Sequence, residues 1–216
     1  MRTRLTLALP KGRMLDPSIA LLRRIGLSCR GLTATTRKLL FEDAKTGVRL
    51  VIVRATDVPT YVEYGAADAG IVGKDVLLEQ ERDVYEPVDL RVGACRLVVA
   101  GPAVNAEASP WPAGTLRVAT KYPRITEHYF SEKGLSVEII RLSGNIELAA
   151  LIGLADRVVD LVTTGRTLRE NNLVIHDVIA SATARLIVNR ASLKTKVAAV
   201  TGLIDRIQQA TKDMQP

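Results

Sequence analysis

The chain has 216 residues, enough for one large α/β domain or two small ones. Its 47% hydrophobic content is ordinary for a globular protein, and no run approaches the ~18 apolar residues of a membrane span. The net charge of +7 leaves two partner classes open, a nucleic-acid surface or a polyanionic small molecule, but aromatics are only 4% and scattered, so there is no stacking platform for single strands.

In chain order, Leu5, Leu7 and Leu9 alternate with Thr6 and Ala8, which marks a strand, followed by Pro10-Lys11-Gly12-Arg13. Asp16-Pro17 reads as a cap and first helical residue, with Ile19, Leu22 and Ile25 as the buried stripe and Gly26 as the stop. Gly31 to Thr36 reads as loop or a short edge strand, and Arg37-Lys38 follow. Arg49 to Val53 is a strand ending in Arg54, and Thr56 or Asp57 caps the helix after it. Asp68 leads a short strand, Ala69 to Val72, and Lys74 to Glu79 is helical. Val84 to Val92 is extended, and Ala94 to Ala100 is a strand. Asn105 to Gly114, with Pro110 and Pro112, is a surface loop in which Trp111 should cover a small apolar patch. Leu116 to Ala119 is a strand ending at Thr120-Lys121-Tyr122-Pro123-Arg124, a helix runs to Lys133, and Val137 to Leu142 is a strand. Ser143-Gly144-Asn145 opens a helix that carries Glu147.

Val158 to Val162 has the apolar composition of a central strand, interrupted by Asp160. The turn Thr163-Thr164-Gly165-Arg166-Thr167 supplies hydroxyls and backbone N–H donors, and Thr167 with Glu170 fits the capping box of a following helix. A strand that runs into such a turn at a helix N-terminus suits a phosphate monoester, although an ordinary capped turn has the same local pattern. Leu173 to Val178 returns towards the sheet, Arg185 to Val188 is a further strand, and Leu193 to Lys212 reads as one amphipathic helix with Val197, Val200, Ile204 and Ile207 on its apolar side.

Strands alternate with helices throughout, which predicts an α/β fold with mostly parallel pairing. A second unit should begin close to Ala94, and the late Arg185 strand could rejoin the first. The expected division is therefore 1–92 plus 184–216 for the first domain and 93–183 for the second. The basic residues follow a pattern. Lys11 and Arg13, Arg54, Lys121 and Arg124, and Arg166 each lie just past the carboxyl end of a strand, the rim where open α/β sheets bind ligands. Such a rim predicts a ligand rich in phosphate.

Asp160 is costly in an apolar strand unless it finds partners, and a ribose diol is a natural one. Glu147 reads as a helix-capping charge or a second sugar contact, and Asp68 as a turn residue or a ligand contact. No nucleophile triad, zinc spacing, Walker A lysine or G-x-G-x-x-G is found. Cys29 and Cys95 read as small buried residues and His128 and His176 as structural or surface ones, so catalysis should run on positioning and charge stabilisation. The cysteine usage and the absence of a long apolar segment near Met1 predict a reduced, cytoplasmic protein.

These residues resemble a known family. Gly144-Asn145-Ile146-Glu147-Leu148-Ala149, running through Gly153-Leu154-Ala155-Asp156 to Asp160-Leu161-Val162-Thr163-Thr164-Gly165-Arg166-Thr167-Leu168, is similar to the ATP phosphoribosyltransferases in their short, catalytic-subunit form. Lys11-Gly12-Arg13, Val53 to Pro59 and Asp68 to Asp75 support the resemblance, which covers nearly all of the chain. One departure is Ala150, where the family commonly has proline.

The resemblance implies two α/β domains of the type II periplasmic-binding-protein kind, with the active site in the cleft. It implies transfer of the phosphoribosyl group of phosphoribosyl pyrophosphate to N1 of ATP, with Mg²⁺ carried by the substrates, as the first step of histidine biosynthesis. It assigns Thr163, Thr164, Gly165, Arg166 and Thr167 to the sugar 5′-phosphate and Glu147 and Asp160 to the ribose hydroxyls. Lys11, Gly12, Arg13, Arg37, Arg54 and Asp68 fall to the ATP and pyrophosphate side, with Arg54, Asp160 and Glu147 as catalytic residues. It also implies a homodimer within a hetero-oligomer, whose separate regulatory subunit is similar to histidyl-tRNA synthetase, and no nucleic-acid or membrane partner.

Overall fold

The first strand, β1 (Thr6–Pro10), is buried on both faces, as its continuous apolar run requires. It belongs to a computed structural model that describes residues 4–33, 37–103, 111 and 114–213. The chain divides into two units, Met1–Gly93 with Thr183–Pro216, and Ala94–Ala182.

In the first unit β1 leads to α1 (Leu15–Arg24), then β2 (Leu40–Glu42), β3 (Arg49–Val53), a single 3-10 turn, α2 (Val58–Glu63), β4 (Ala69–Gly73), α3 (Lys74–Gln80) and β5 (Tyr85–Asp89). The second unit contains β6 (Cys95–Pro102), β7 (Leu116–Thr120), α4 (Pro123–Glu132), β8 (Val137–Arg141), α5 (Ile146–Leu151), β9 (Arg157–Val162), α6 (Arg166–Glu170) and β10 (Leu173–Ala182). The chain then re-enters the first unit as β11 (Ala184–Val188), α7 (Arg190–Thr195) and α8 (Val197–Lys212).

The first sheet has six strands in the order β2-β3-β1-β4-β11-β5, and the second has five in the order β10-β6-β9-β7-β8. Alternate residues of each strand face opposite sides, so each sheet has two cores. In the first unit Leu7, Leu9, Leu50 and Leu186 meet α1 and α8, while Ala8, Val72 and Ile187 meet Val58 and Val62 of α2. Gly70 lets α2 approach this closely, because a Cβ there would lie 2.6 Å from Val58. In the second unit Val98, Ala119 and Val158 pack on α5 and on Leu168 of α6, and Leu97, Val118 and Val159 pack on Phe130 of α4.

Several expectations need correction. Pairing is mixed rather than mostly parallel. β1 with β3 and β4, and β7 with β8 and β9, run parallel, but β11 lies antiparallel between β4 and β5, and β6 is antiparallel to both β9 and β10. Helix α1 begins at Leu15, so Asp16 and Pro17 lie in its first turn, where a missing N–H costs no hydrogen bond. The strand β2 was not expected; it pairs antiparallel with β3 at the sheet edge. The C-terminal helix is two helices. Asn189 caps α7 by accepting from Ser192 N at 2.8 Å, and Lys196 leaves the helical region at φ −125°. The buried positions of α8 are Val200, Leu203, Ile207, Ala210 and Thr211, whereas Val197 is exposed. Trp111 does cover apolar surface, edge-on to Phe130 with ring centroids 5.7 Å apart. Residues 34–36 of the Gly31 stretch, and 104–110 and 112–113 of the proline-containing loop, lie outside the described residues.

The end of the first sheet opposite the carboxyl rim of β1 is held by Asp68. Its carboxylate accepts from Thr6 N at 2.8 Å, Ser192 Oγ at 2.6 Å and Lys196 Nζ at 2.9 Å, so the first strand, β4 and the returning helices share one buried acid. Removing one partner of a buried pair costs about 3 kcal/mol or more, and each kcal/mol is worth about 2–4 °C in a chain this long. Asp68→Ala is expected to lower the thermal midpoint by roughly 6–12 °C in a circular-dichroism melt; an unchanged midpoint would show that the clamp contributes nothing.

Candidate functional site

Parallel strands place their carboxyl ends on one rim, and in the second unit that rim carries the turns after β7, β8 and β9. The turn after β9 is short and exposed. Gly165 takes φ +73°, a left-handed value that suits glycine, and a Cβ there would lie 3.1 Å from the Arg169 guanidinium. Gly165, not Thr167, is the N-cap of α6, so the expected capping box does not form. Glu170 instead pairs with Arg166 at 2.7 Å. The first backbone bond of the helix runs from Arg169 N to Gly165 O at 3.1 Å, which leaves the N–H groups of Thr167 and Leu168 without an intrahelical acceptor. Thr163, Thr164 and Thr167 stand exposed around them. Donors without acceptors and a helix N-terminus together favour an anion.

Asp160 sits three residues before this turn, on the face of β9 that α5 covers. Its neighbours of the same parity, Val158 and Val162, belong to the core under α5 and α6. Glu147 lies in the first turn of α5 and is half-buried. The residue that opens this helix, Asn145, takes a left-handed φ of +49°, which asparagine tolerates better than most side chains. Burial pushes the Asp160 carboxyl above the usual carboxylate range, and the Glu147 charge adds to that; Leu161 N, donating at 2.8 Å, and the more distant Lys121 oppose it. Among the described residues no cation forms an ion pair with Asp160 or with Glu147. A half-buried, poorly solvated carboxylate in this position gains from a hydroxyl-bearing or positively charged ligand.

In the first unit the corresponding rim is basic. Lys11 N donates to Val53 O at 2.7 Å, which sets the Lys11-Gly12-Arg13 turn beside Arg54 at the end of β3. Arg54 is exposed and precedes the 3-10 turn, whose Asp57 N returns to its carbonyl at 2.9 Å. The β2–β3 pairing continues beyond the strand, with Ile52 N donating to Leu39 O at 2.9 Å, and carries Lys38 and Arg37 towards the same rim.

The expectation that Asp68 belongs with these residues is corrected. It stands at the opposite end of β4, and both its carboxylate oxygens are used inside the fold. Arg96 escaped the sequence reading. β6 runs antiparallel to β9, so its first residues reach the carboxyl rim of β9, and Arg96 is exposed beside Val162. Strand direction was the missing information, and no local pattern supplies it.

The remaining candidates have structural partners. His128 pairs with Glu132 at 3.2 Å on the exposed side of α4, and His176 contacts Pro102 O at 3.1 Å. Both cysteines are buried, and burial pushes the Cys29 thiol up.

The family model described as HisG: ATP phosphoribosyltransferase matches residues 54–209. Over 208 residues the chain is 57% identical to ATP phosphoribosyltransferase of Geobacter metallireducens, covering 95% of this chain and 97% of that protein.

The chain belongs to the ATP phosphoribosyltransferase family.

A solved structure of this family, the ATP phosphoribosyl transferase (HisG:HisZ) complex from Thermotoga maritima, superposes with a TM-score of 0.83 at 37% identity, covering 97% of this chain and 99% of that one. The periplasmic aliphatic sulphonate binding protein SsuA from Escherichia coli superposes at 0.63 with 12% identity over 98% of this chain and 73% of its own, a likeness of fold alone. The family fold, two α/β domains of the type II periplasmic-binding-protein kind, is therefore the expected one. No helix of the described residues is long and apolar enough to cross a membrane.

The raised Asp160 carboxyl has a consequence for stability. The folded protein holds this proton more tightly than the unfolded chain does. Its contribution is therefore fully present below the unfolded value and is lost as pH rises through the folded one. At neutral pH the ionised group opposes folding. Asp160→Asn is expected to raise the thermal midpoint at about pH 7 by roughly 2–4 °C, the equivalent of about 1 kcal/mol. The gain should shrink as pH falls towards about 4. Calorimetry at the two pH values checks this, and a lower midpoint for the variant at neutral pH would contradict it.

Proposed function

We infer that this chain transfers the 5-phosphoribosyl group of phosphoribosyl pyrophosphate to N1 of ATP and releases pyrophosphate, the first step of histidine biosynthesis. Family membership supports the reaction. The observation that carries the assignment of residues is the half-buried, poorly solvated Asp160 carboxylate, without a described ion-pair partner, placed between Glu147 and the Thr163–Thr167 turn.

In this reading the turn, with Thr163, Thr164, Gly165, Arg166 and Thr167, takes the sugar 5′-phosphate. Asp160 and Glu147 accept hydrogen bonds from the ribose hydroxyls. As pyrophosphate departs, positive charge grows on the ribose ring, and a carboxylate fixed in a poorly solvated place stabilises it without reorganising. Adenine N1 already has a lone pair, so attack needs no strong general base.

The basic rim of the first unit, Lys11, Gly12, Arg13, Arg37 and Arg54, takes the polyphosphate groups. Arg54 is exposed and has no described ion-pair partner, so its guanidinium is available to an incoming anion. Among the described residues no three His, Cys, Asp or Glu side chains gather to hold a metal ion. Mg²⁺ is proposed to arrive on the polyphosphates, where it would supply charge neutralisation.

The assembly is proposed to be a homodimer bound to a separate regulatory subunit similar to histidyl-tRNA synthetase, in the cytoplasm. The superposition on a HisG:HisZ complex supports such a partner. The sheet architecture shared with periplasmic binding proteins also supports a ligand receptor without chemistry.

Pyrophosphate release separates the two readings. It is expected with phosphoribosyl pyrophosphate and ATP together and to fall sharply with adenosine in place of ATP; no release under either condition would leave only a receptor. Arg54→Ala is expected to lower kcat by about 10²–10³, the usual cost of one preorganised donor. Near-normal turnover in that variant at saturating substrate would remove Arg54 from the leaving-group role.

A further inference from the structure

Lys121 is the first residue after β7. That strand runs parallel to β9, with Val118 beside Arg157, Ala119 beside Val158 and Thr120 beside Val159. The end of the pairing is fixed by side chains. Thr120 Oγ1 donates to Val159 O at 2.9 Å and accepts from Tyr122 N at 2.9 Å, and the Thr120 side chain is fully buried. Adjacent residues of parallel strands face the same side of the sheet, and successive residues alternate. One further step of this register sets Lys121 beside Asp160 and on the face that α5 covers. Lys121 is exposed and its Nζ stands 5.9 Å from the Tyr122 ring centroid. No described carboxylate forms an ion pair with it.

The other charged groups around Asp160 have different positions or partners. From α5 comes Glu147, of like sign. From β6 the residue opposite Asp160 is Val98, and Arg96 stands two pairs further along, beside Val162. At the end of β8, Arg141 pairs with Thr120 and so takes the other face. On α6, Arg166 is held by Glu170 and Arg169 donates to Thr164 O at 3.0 Å. Lys121 is the cation that the strand register delivers to the acidic pair.

We propose that Lys121 is a positioning residue for the transfer reaction: its ammonium is the counter-charge that keeps Asp160 available to the ribose as a carboxylate. The proposal rests on the assignment of Asp160 to the sugar. Two acids in a poorly solvated place disfavour each other's ionised forms, and a nearby cation restores them. Lys121 already acts on Asp160 in that direction, against burial and Glu147. Exposure lets its flexible stem adjust when the sugar phosphate enters.

The test is the pH dependence of kcat/KM for phosphoribosyl pyrophosphate, measured by pyrophosphate release with the full chain as isolated. The acidic limb of that profile reports the free enzyme's essential carboxylate. Lys121→Met is expected to move the limb about one pH unit upward, so that kcat/KM falls by up to about tenfold on the acidic side of the limb yet stays within about twofold of the parent on its alkaline plateau. Lys121→Arg, which retains the charge, is expected to restore the limb. An unmoved limb in Lys121→Met overturns the proposal. So does a uniform loss at every pH with a raised KM, which would make Lys121 a direct phosphate ligand. Asp160→Asn, measured alongside, separates the two levels: full activity in that variant overturns the sugar assignment itself, whereas an inactive Asp160→Asn with an unmoved Lys121→Met limb overturns only the role of Lys121.

Discussion

The second unit is arranged around the cost of a carboxylate inside a central strand. Asp160 cannot be solvated as an exposed acid would be, and the like-charged Glu147 stands near it. Such an arrangement lowers folding stability, and it persists where a ligand recovers the loss. In the proposed reading, phosphoribosyl pyrophosphate would supply what the site lacks: hydroxyl donors for the acids, a phosphate for the turn beyond β9, and a ring that becomes positive as its leaving group departs.

The remainder of the fold keeps this acid in place. The parallel pairing of β7 with β9 fixes which residues surround it, and the buried Thr120 hydroxyl closes that pairing at the rim. Helix α5 is brought down on the same face by Ile146, Ala149 and Ala150, which positions Glu147. The departure at Ala150 leaves this packing intact, because a small buried side chain suffices there. In the first unit the division of labour is spatial. Lys11 and Arg54 stand at the carboxyl ends of neighbouring strands, while Asp68 binds the opposite ends of β1 and β4 to α7 and Lys196. One rim carries exposed basic residues, and the other is consumed by stability.

In both helix corrections a local pattern had more than one solution. Thr167 and Glu170 match a capping box, but the backbone turns at Gly165, so Thr167 falls inside the helix and Glu170 pairs with Arg166. Leu193 to Lys212 has helical periodicity, but Lys196 reaches Asp68 and the Arg4 carbonyl, and the helix breaks there. The first pattern had two local solutions and the glycine turn decided between them, whereas the second was decided by contacts distant in sequence.

The sequence by itself determined the α/β alternation, the phosphate-suited turn with Asp160 and Glu147 before it, the row of basic strand ends and the family. These rest on short-range periodicity and on residues within a few positions of each other. Only the tertiary structure decided that β6 and β11 run antiparallel, that Asp68 is a clamp rather than a ligand contact, that Arg96 reaches the rim beside β9, and that the strand end carrying Lys121 is the one next to β9. Strand direction and register follow from which apolar faces can be buried together across the whole sheet. That is a global condition, which no local stretch of sequence records.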